Sequence, residues 1–260
     1  MEDRERAVYE LWARTKEFSH KISQAQRIAE RGFGIMDYPY ASLSFGKDST
    51  AMVHLLLALE PSLPVMYVNC GEWDEWPDTP RVKAEFLSRC PCKFIELDGP
   101  SIIESYHEAG SRYMPDEEAG EPMRRILRRY DKSLCAVLDG AAIRRGFDGA
   151  FIGLRKEESD NRSRLFAMRG PLYYAKTRKL WACHPLAFWS SRDVWAYIVK
   201  HDLPYNELYD LDPQGRERAR NGAMIGTRSA RYGRLTRLKL MYPEQFNRLA
   251  AEFPEIRCYV

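Results

Sequence analysis

The chain has 260 residues, of which 45% are hydrophobic and 30% are charged, and its formal net charge is only +3. This composition is that of an ordinary globular protein rather than a disordered one, and the length suits one large α/β domain with an extension, or two small domains. The longest apolar stretch, AMVHLLLALE at residues 51–60, is too short to cross a bilayer. Residues 1–18 lack the apolar core of a secretory leader. We therefore expect a cytoplasmic protein with no membrane partner.

Hydrophobic spacing predicts that helices and strands alternate along the chain. Over residues 4–31 it predicts a helical hairpin or one long helix. Strands are predicted at 41–45, 63–71, 92–99, 149–155 and near 180, and helices at 49–59, 79–89, 121–145 and 191–202, with loops or short helices at 101–120. Such alternation predicts an α/β fold with a doubly wound, mostly parallel sheet.

The turn after the first predicted strand has the chemistry of a phosphate site. It reads SFGKDST at residues 44–50 and leads directly into a predicted helix. The N-terminus of a helix offers unpaired N–H groups and a positive dipole end. Gly46 lets the backbone approach a phosphate, and Lys47 adds a cation. The other candidate contacts are Ser42, Ser44, Phe45, Asp48, Ser49 and Thr50.

Two familiar phosphate loops do not fit this segment. The Walker pattern would need glycine at Ala41 and serine or threonine at Asp48, and the G-x-G-x-x-G pattern is absent. The sequence SFGKDS instead resembles the PP-loop of the ATP pyrophosphatases, SGGKDS, with Phe45 in place of the first glycine. The resemblance implies that ATP binds here and that Lys47 offsets the charge of the leaving pyrophosphate. Asp48 is a candidate for holding Mg²⁺ through water or for orienting Lys47.

A second polar segment, GLRKEESDNR at residues 153–162, follows the fourth predicted strand. Arg155 and Arg162 are planar bidentate donors that suit phosphate or sulfate oxygens. Glu158 and Ser159 are candidates for fixing these arginines or a metal. Because this segment and the PP-loop segment both follow predicted strands, we expect them to meet at one crevice.

The segment starting at Gly153 resembles the G-x-R-x-x-(E/Q)-S-x-x-R motif of phosphoadenosine phosphosulfate (PAPS) reductases. FWSSRDVWAYIVKHDLPYNELYD at residues 188–210 resembles a second motif of that family. The resemblance covers roughly residues 35–210 and implies a Rossmann-like, HUP-type sheet that binds an adenine nucleotide. Asn69 and Gly71 lie where the family turns after its second strand, which implies that they border adenine and ribose.

The chain departs from the reductases of this family at its C-terminal end. Their nucleophilic cysteine lies in an E-C-G-x-H-like tail, whereas this chain ends FPEIRCYV, where Cys258 has no glycine or histidine beside it. The cysteine pairs that hold an iron–sulfur cluster in some members are missing, so we expect no such cluster. The intact GKDS at residues 46–49 favours ATP, because the members that use PAPS tend to have lost the lysine and the aspartate.

These features favour an ATP-using transferase that cleaves ATP at the α-phosphate and forms AMP, or an adenylylated intermediate, with release of pyrophosphate. Lys47, Asp48, Arg155 and Arg162 are the candidate catalytic residues. The acceptor stays open between an anionic small molecule and a base in DNA or tRNA, and a sulfur donor is a further candidate partner.

Two alternatives stay open beside this interpretation. A thiol-dependent PAPS or APS reductase, an oxidoreductase of sulfur metabolism, would use Cys258 and a thioredoxin-like reductant. A non-catalytic nucleic-acid-binding module would use the basic run at 216–239 or the shorter one at 123–132. We predict a helical extension at 1–32, a PP-loop domain at 33–210 and a basic helical segment at 211–260. A homodimer is one option for the oligomeric state.

Overall fold

A computed structural model describes residues 1–108, 110, 113, 120–213, 215–217, 219 and 233–260, without the side chains of residues 121–123 and 126–134. The helices are α1 (Asp3–Ala13), α2 (Lys16–Phe33), α3 (Lys47–Leu59), α4 (Thr79–Arg89), α5 (Ile102–Glu108), α6 (Glu121–Arg145), α7 (Asp160–Arg169), α8 (Ser191–Lys200), α9 (Leu208–Leu211), α10 (Arg234–Met241) and α11 (Pro243–Glu252). The strands are β1 (Pro39–Ser42), β2 (Val65–Asn69), β3 (Phe94–Asp98), β4 (Gly149–Phe151), β5 (Leu172–Ala175) and β6 (Leu180–Cys183). Two 3₁₀ turns lie at Lys156–Glu158 and Pro254–Tyr259.

The strands form one six-stranded sheet in the order β3-β2-β1-β4-β6-β5. β1 pairs in parallel with β2 and with β4, and β4 pairs in parallel with β6. β5 runs antiparallel to β6. The predicted doubly wound, mostly parallel α/β sheet is therefore confirmed. Because the sheet grows outward in both directions from β1 and β4, the loops after these strands lie at a topological switch point, where ligands bind in such folds.

The boundaries of several elements differ from the sequence prediction. β1 ends at Ser42 rather than at residue 45, because Phe45 has a φ of +52° and cannot continue a strand. α3 begins at Lys47, two residues earlier than predicted. The sequence prediction also missed α7 and β5. The predicted bounds of the helices at 79–89 and 121–145 are correct.

The N-terminal extension consists of two helices rather than one long helix. Thr15 separates them, and its side chain accepts a hydrogen bond from the Phe18 N–H at 3.1 Å, which caps α2. Trp12 on α1 donates its indole N–H to Asp193 at 2.8 Å. Asp193 also forms the capping box of α8 with Ser190. The extension is thus attached to α8 at its N-terminal turn.

The described residues form two compact units. The first contains Met1–Tyr67, Arg81–Glu96 and Asp139–Asn206, and the second contains Val68–Pro80, Leu97–Leu138 and Glu207–Val260. In the second unit, Tyr106 on α5 packs against Phe253, with 5.6 Å between the ring centroids. The division at residues 32 and 210 stays a prediction. In the described ranges, no helix has both the length and the apolar character needed to span a bilayer.

Much of the basic run at 216–239, and most side chains of the run at 123–132, lie outside what the structure describes. In the run at 216–239, this holds for residues 218 and 220–232. In the run at 123–132, the described side chains are Arg124 and Arg125, and both are exposed. The proposed roles of these runs therefore stay predictions.

Candidate nucleotide-binding site

The turn between β1 and α3 lies at the edge where the parallel strands end. Phe45 adopts a left-handed conformation there, with a φ of +52°. Glycine adopts this conformation readily, whereas a residue with a Cβ does so at a cost. The Phe45 ring is fully buried and packs edge-on against Tyr67, with 5.0 Å between the centroids. Burial of the ring offsets the backbone cost, so phenylalanine can replace the first glycine of the PP-loop.

Hydroxyl groups hold the shape of this turn. The Ser49 hydroxyl donates to the Gly46 carbonyl at 3.1 Å and accepts from the Ser44 N–H at 3.1 Å. Gly46 is the N-cap of α3 and has no side chain to cap the first helical turn. The N–H groups of that turn are therefore left without a side-chain cap, and the binding of an anion by them stays a prediction. Thr50 is buried there, and its hydroxyl has no hydrogen-bond partner among the described residues.

Three charged side chains form a buried network at the start of α3. Lys47 Nζ lies 2.6 Å from Asp48 Oδ2, and Arg155 Nε lies 2.5 Å from Asp48 Oδ1. Lys47 is 4% exposed and Arg155 is 3% exposed. Burial lowers the pKa of Lys47, and the Asp48 carboxylate opposes this effect. Burial also acts to lower the pKa of Arg155, but Asp48 and Glu157 outweigh it, so that pKa is raised.

Gly153 brings the second polar segment against the first turn of α3. A Cβ atom on Gly153 would lie 3.1 Å from both Cα and N of Ser49. Backbone atoms move aside less easily than a flexible side chain does, so the close approach favours glycine. This contact joins the loops after β1 and β4, as the sequence predicted for these two segments.

The segment after Gly153 is held by its own acidic residues. Glu158 Oε2 accepts from the Arg155 N–H at 2.8 Å and also pairs with the Arg162 guanidinium. The Ser159 hydroxyl accepts from the Arg162 N–H at 3.3 Å, which caps α7. Of the two roles considered for Glu158 and Ser159, the observed one is therefore fixing the arginine segment.

Arg155 has surroundings that the sequence argument did not foresee. Its Nη1 lies 2.5 Å from Glu157 Oε1 and 3.4 Å from the Trp189 carbonyl oxygen. The Arg155 guanidinium is nearly inaccessible to water, and its Nε and Nη1 donors are engaged by Asp48, Glu157 and the Trp189 carbonyl. Arg155 thus positions Asp48 and, through it, Lys47. Direct contact of Arg155 or Arg162 with a ligand phosphate stays a prediction.

The remaining predicted contacts lie in two places. Ser42 is the last residue of β1 in the first compact unit. Asn69 and Gly71 belong to the second unit. There, the Asn69 side chain accepts from the Gly71 N–H at 2.9 Å, and Gly71 has a φ of +86°. Their predicted contact with adenine and ribose stays a prediction.

Asn206 is a positioning residue that the sequence argument missed, although it lies in the quoted PYNELYD motif. It is fully buried, and its Nδ2 donates to the carbonyl oxygen of the left-handed Phe45 at 3.0 Å.

We expect Asn206→Ala to destabilise the protein by about 1–3 kcal/mol, because a buried carbonyl loses its donor. Nucleotide affinity should fall with it. Urea unfolding and ATP titration measure the two effects, with Asn247→Ala on the exposed face of α11 as the control. Unchanged nucleotide affinity would contradict the positioning role.

His184 is a second missed residue, located directly after β6. It is 1% exposed, its Nδ1 lies 3.2 Å from the Ile152 carbonyl oxygen, and its Nε2 has no partner among the described residues. Nδ1 therefore donates, and protonation would place an unpaired charge at Nε2. Burial lowers the pKa of His184 to about 4.

This buried histidine predicts that stability falls with decreasing pH. The unfolded chain takes up a proton near the ordinary histidine pKa of about 6.5, whereas the native site resists protonation until about pH 4. The free energy of unfolding should fall by about 2 kcal/mol between about pH 7 and about pH 5 on account of His184 alone. His184→Gln should show a smaller fall in urea unfolding over this range. The same substitution at the exposed His20 is the matched control, and an equally steep fall in His184→Gln would contradict the assignment.

The cysteines do not form a metal centre in the described part of the chain. No group of three or more His, Cys, Asp or Glu side chains there could hold a metal ion. Burial raises the pKa of Cys70 and Cys183 to about 12 and also raises the pKa values of Cys90 and Cys92. The expected absence of an iron–sulfur cluster stays a prediction.

The chain as a whole is similar to known proteins. The family model of the phosphoadenosine phosphosulfate reductase domain matches residues 38–249, most of the chain. The chain therefore belongs to the PAPS reductase domain family. This confirms the resemblance drawn from the two motifs.

Curated relatives in the PAPS reductase family agree with this assignment. A phosphoadenosine 5′-phosphosulfate reductase of Gloeobacter violaceus is 29% identical over 185 residues, which cover 70% of this chain and 69% of that protein. An adenosine 5′-phosphosulfate reductase of Staphylococcus haemolyticus is 30% identical over 172 residues, which cover 65% of this chain and 64% of that protein. The chain thus spans about two thirds of the length of these relatives.

A solved structure shows the same fold. The crystal structure of phosphoadenylyl-sulfate (PAPS) reductase from Candida auris, in complex with phosphate, matches with a TM-score of 0.55. The match covers 76% of this chain and 92% of that chain at 15% sequence identity. At this identity the likeness concerns the fold, and it agrees with the Rossmann-like sheet predicted from the sequence.

Proposed function

We propose that this member of the PAPS reductase family is a PP-loop enzyme that binds ATP and cleaves it at the α-phosphate. The observation that carries the proposal is the buried pair of Lys47 and Asp48, 2.6 Å apart, at the first turn of α3. A buried lysine with a lowered pKa is costly to maintain. An anion bound at the adjacent helix N-terminus would stabilise its charged form.

The proposed reaction joins the acceptor to the α-phosphorus and breaks the bond between the α-phosphorus and the oxygen that bridges it to the β-phosphorus, and this oxygen leaves with the pyrophosphate. Negative charge grows on the departing pyrophosphate. Lys47 and the N–H groups of the first turn of α3 offset this charge. Asp48 keeps the Lys47 ammonium in place, and Arg155 keeps Asp48 in place. The protein thus contributes positioning and charge neutralisation.

Asp48 is poorly placed to act as a magnesium ligand in this arrangement. Both of its carboxylate oxygens already face cationic groups, Lys47 Nζ at 2.6 Å and Arg155 Nε at 2.5 Å. Of the two roles considered for Asp48, we therefore retain the orientation of Lys47. Mg²⁺ would then arrive with ATP as part of the substrate, bound by the phosphate oxygens of the nucleotide.

A sulfonucleotide reductase is the second candidate, and the names of the curated relatives favour it. Such a reaction would need a reactive cysteine and a thioredoxin-like reductant. Cys135 and Cys258 are the exposed cysteines, and Cys258 lies in the 3₁₀ turn Pro254–Tyr259. In that turn Ile256 is buried and Glu255 accepts a hydrogen bond from the Tyr113 N–H. A cysteine in such a packed turn is a poor swinging nucleophile, so we place this candidate second.

Thermal unfolding with added nucleotides separates the two candidates. We expect ATP·Mg²⁺ to raise the unfolding midpoint more than AMP, APS or PAPS. A ligand at a hundred times its dissociation constant stabilises the native state by about 2.7 kcal/mol, which is a shift of several degrees. We also expect Cys258→Ser to retain pyrophosphate release from ATP, as the matched Cys135→Ser variant should. The reductase would be established instead if PAPS or APS raised the unfolding midpoint more than ATP·Mg²⁺. Reduction of PAPS or APS should then be lost in Cys258→Ser and retained in Cys135→Ser.

The acceptor is the open part of the proposal. An anionic small molecule, such as sulfate or a carboxylate, and a base in DNA or tRNA are the candidates carried over from the sequence. A sulfur donor would be needed where the product is a thiolated base. If no nucleotide shifts the unfolding midpoint, the protein is better described as the non-catalytic nucleic-acid-binding module.

A further inference from the structure

The β5–β6 hairpin carries an unused cationic surface. β5 is the outer strand of the sheet order, and residues 176–179 form the turn to β6. Residues 161–192 contain seven arginines and lysines and no aspartate or glutamate, although the chain has 37 acidic residues. None of the residues in the β5–β6 turn belongs to the nucleotide site described above.

The charges of this hairpin are unequally compensated. Arg178 Nε lies 2.7 Å from Asp139 Oδ1, and Arg178 Nη2 lies 3.3 Å from the Tyr40 hydroxyl, so its charge is used within the fold. Lys176 and Lys179 are exposed and form no ion pair with the described residues. Their ammonium groups are therefore exposed to solvent and accessible to an anionic ligand.

Aromatic side chains accompany these cations. Tyr174 is 46% exposed and contacts the half-buried Trp181 directly across the two strands, with 5.7 Å between the ring centroids. Tyr173 points to the other face of β5, where the Arg169 guanidinium lies 5.5 Å from its ring centroid. A cavity of about 460 Å³ connects Arg169, Tyr173, Tyr174, Lys176 and Arg178.

We propose that the β5–β6 hairpin is a binding site for a single-stranded nucleic acid. The exposed Tyr174 ring offers a stacking surface that accepts any unpaired base. Lys176, Lys179 and Arg169 supply cations for the adjoining phosphates. A duplex would keep its base faces covered and could not use Tyr174, so the site favours single strands. The proposal does not depend on whether the enzyme uses ATP or PAPS.

Fluorescence anisotropy with the full chain tests this site. The probes are labelled oligothymidylate and oligouridylate of about 15 nucleotides, titrated at several salt concentrations. We expect binding that weakens as salt rises. Tyr174→Ala should weaken it about tenfold, and Tyr174→Phe should restore it. Lys176→Glu/Lys179→Glu should weaken it further and reduce the slope of log affinity against log salt by at least about 1.

The control is Lys16→Glu/Arg27→Glu on the exposed face of α2, which makes the same change in charge elsewhere. If both double variants lower affinity equally, the binding is a general charge effect and the proposal fails. It fails also if affinity is unchanged in the hairpin variants, since the strand would then bind another segment. Absence of oligonucleotide binding overturns it outright. Unchanged thermal midpoints in the variants show that a lost signal does not come from unfolding.

Discussion

Replacing Asp48 with alanine is expected to destabilise the protein by about 3–5 kcal/mol, because the substitution leaves two buried cations without their shared partner. Lys47 and Arg155 both contact Asp48, at 2.6 Å and 2.5 Å, and both are almost inaccessible to water. Lys47 can shed its proton, and burial already lowers its pKa. Arg155 cannot lose its proton at any ordinary pH. Its Nη1 keeps the Glu157 carboxylate at 2.5 Å, but its Nε loses the acceptor Asp48 Oδ1. Urea unfolding at neutral pH measures the loss.

Two comparisons make this prediction specific. Glu30→Ala removes an exposed carboxylate from α2 and should change stability by less than about 0.5 kcal/mol. Asp48→Asn keeps the shape and one acceptor oxygen but removes the charge. Its loss of unfolding free energy should therefore fall between those of Glu30→Ala and Asp48→Ala. If Asp48→Ala were as stable as Glu30→Ala, the buried network would not contribute to stability in the way that its geometry indicates.

In contrast to Asp48→Ala, Lys47→Met should have a large effect on ATP turnover and a small effect on the free energy of unfolding. The variant keeps much of the buried aliphatic volume, and Asp48 retains Arg155 as its partner. Turnover of ATP, followed as pyrophosphate release, should fall by about 10²–10³-fold, the effect of removing one preorganised group that stabilises a developing charge. The stabilisation by ATP·Mg²⁺ should shrink in parallel.

The matched control for Lys47→Met is Lys156→Met, an exposed lysine in the second polar segment. It should keep the turnover of the parent protein. Wild-type turnover in Lys47→Met would remove the main support for the ATP proposal. A Lys47→Met protein that has lost both turnover and thermal stability would indicate a structural role for the lysine, which the retained Asp48–Arg155 pair argues against.

The regular elements could be predicted where local chemistry marks both of their ends. α4 starts with Thr79 and Pro80, a favourable first turn, and α6 is followed directly by Gly146, whose φ of +73° only glycine adopts readily. α7 was missed because its ten residues are mostly polar and Phe166 is its one residue in the core. β5 has four residues and follows Gly170, so neither its length nor its pattern distinguishes it from a loop.

The site could be predicted only in part, because its decisive contacts join distant segments. The PP-loop motif drew attention to Lys47 and Asp48, and both lie in the first turn of α3, while their contact with a phosphate stays a prediction. Nothing in the sequence shows that Arg155 faces Asp48 across 107 positions, or that Asn206 reaches the Phe45 carbonyl across 161. These contacts depend on how β4 and the residues after α8 are placed by the sheet, and local spacing does not encode that placement.

The buried ring of Phe45 anchors the loop between β1 and α3 in the core. The ring lies among three other aromatic residues, with centroid distances of 5.0 Å to Tyr67 and 6.3 Å to both Phe86 and Phe94. A rearrangement that displaces Phe45 would take this ring out of the core, at a cost of the order of a few kcal/mol. Under the proposed function, a nucleotide would therefore meet a loop whose shape exists before it arrives. Association should follow a single kinetic phase whose rate rises linearly with nucleotide concentration, with no slow isomerisation after the encounter.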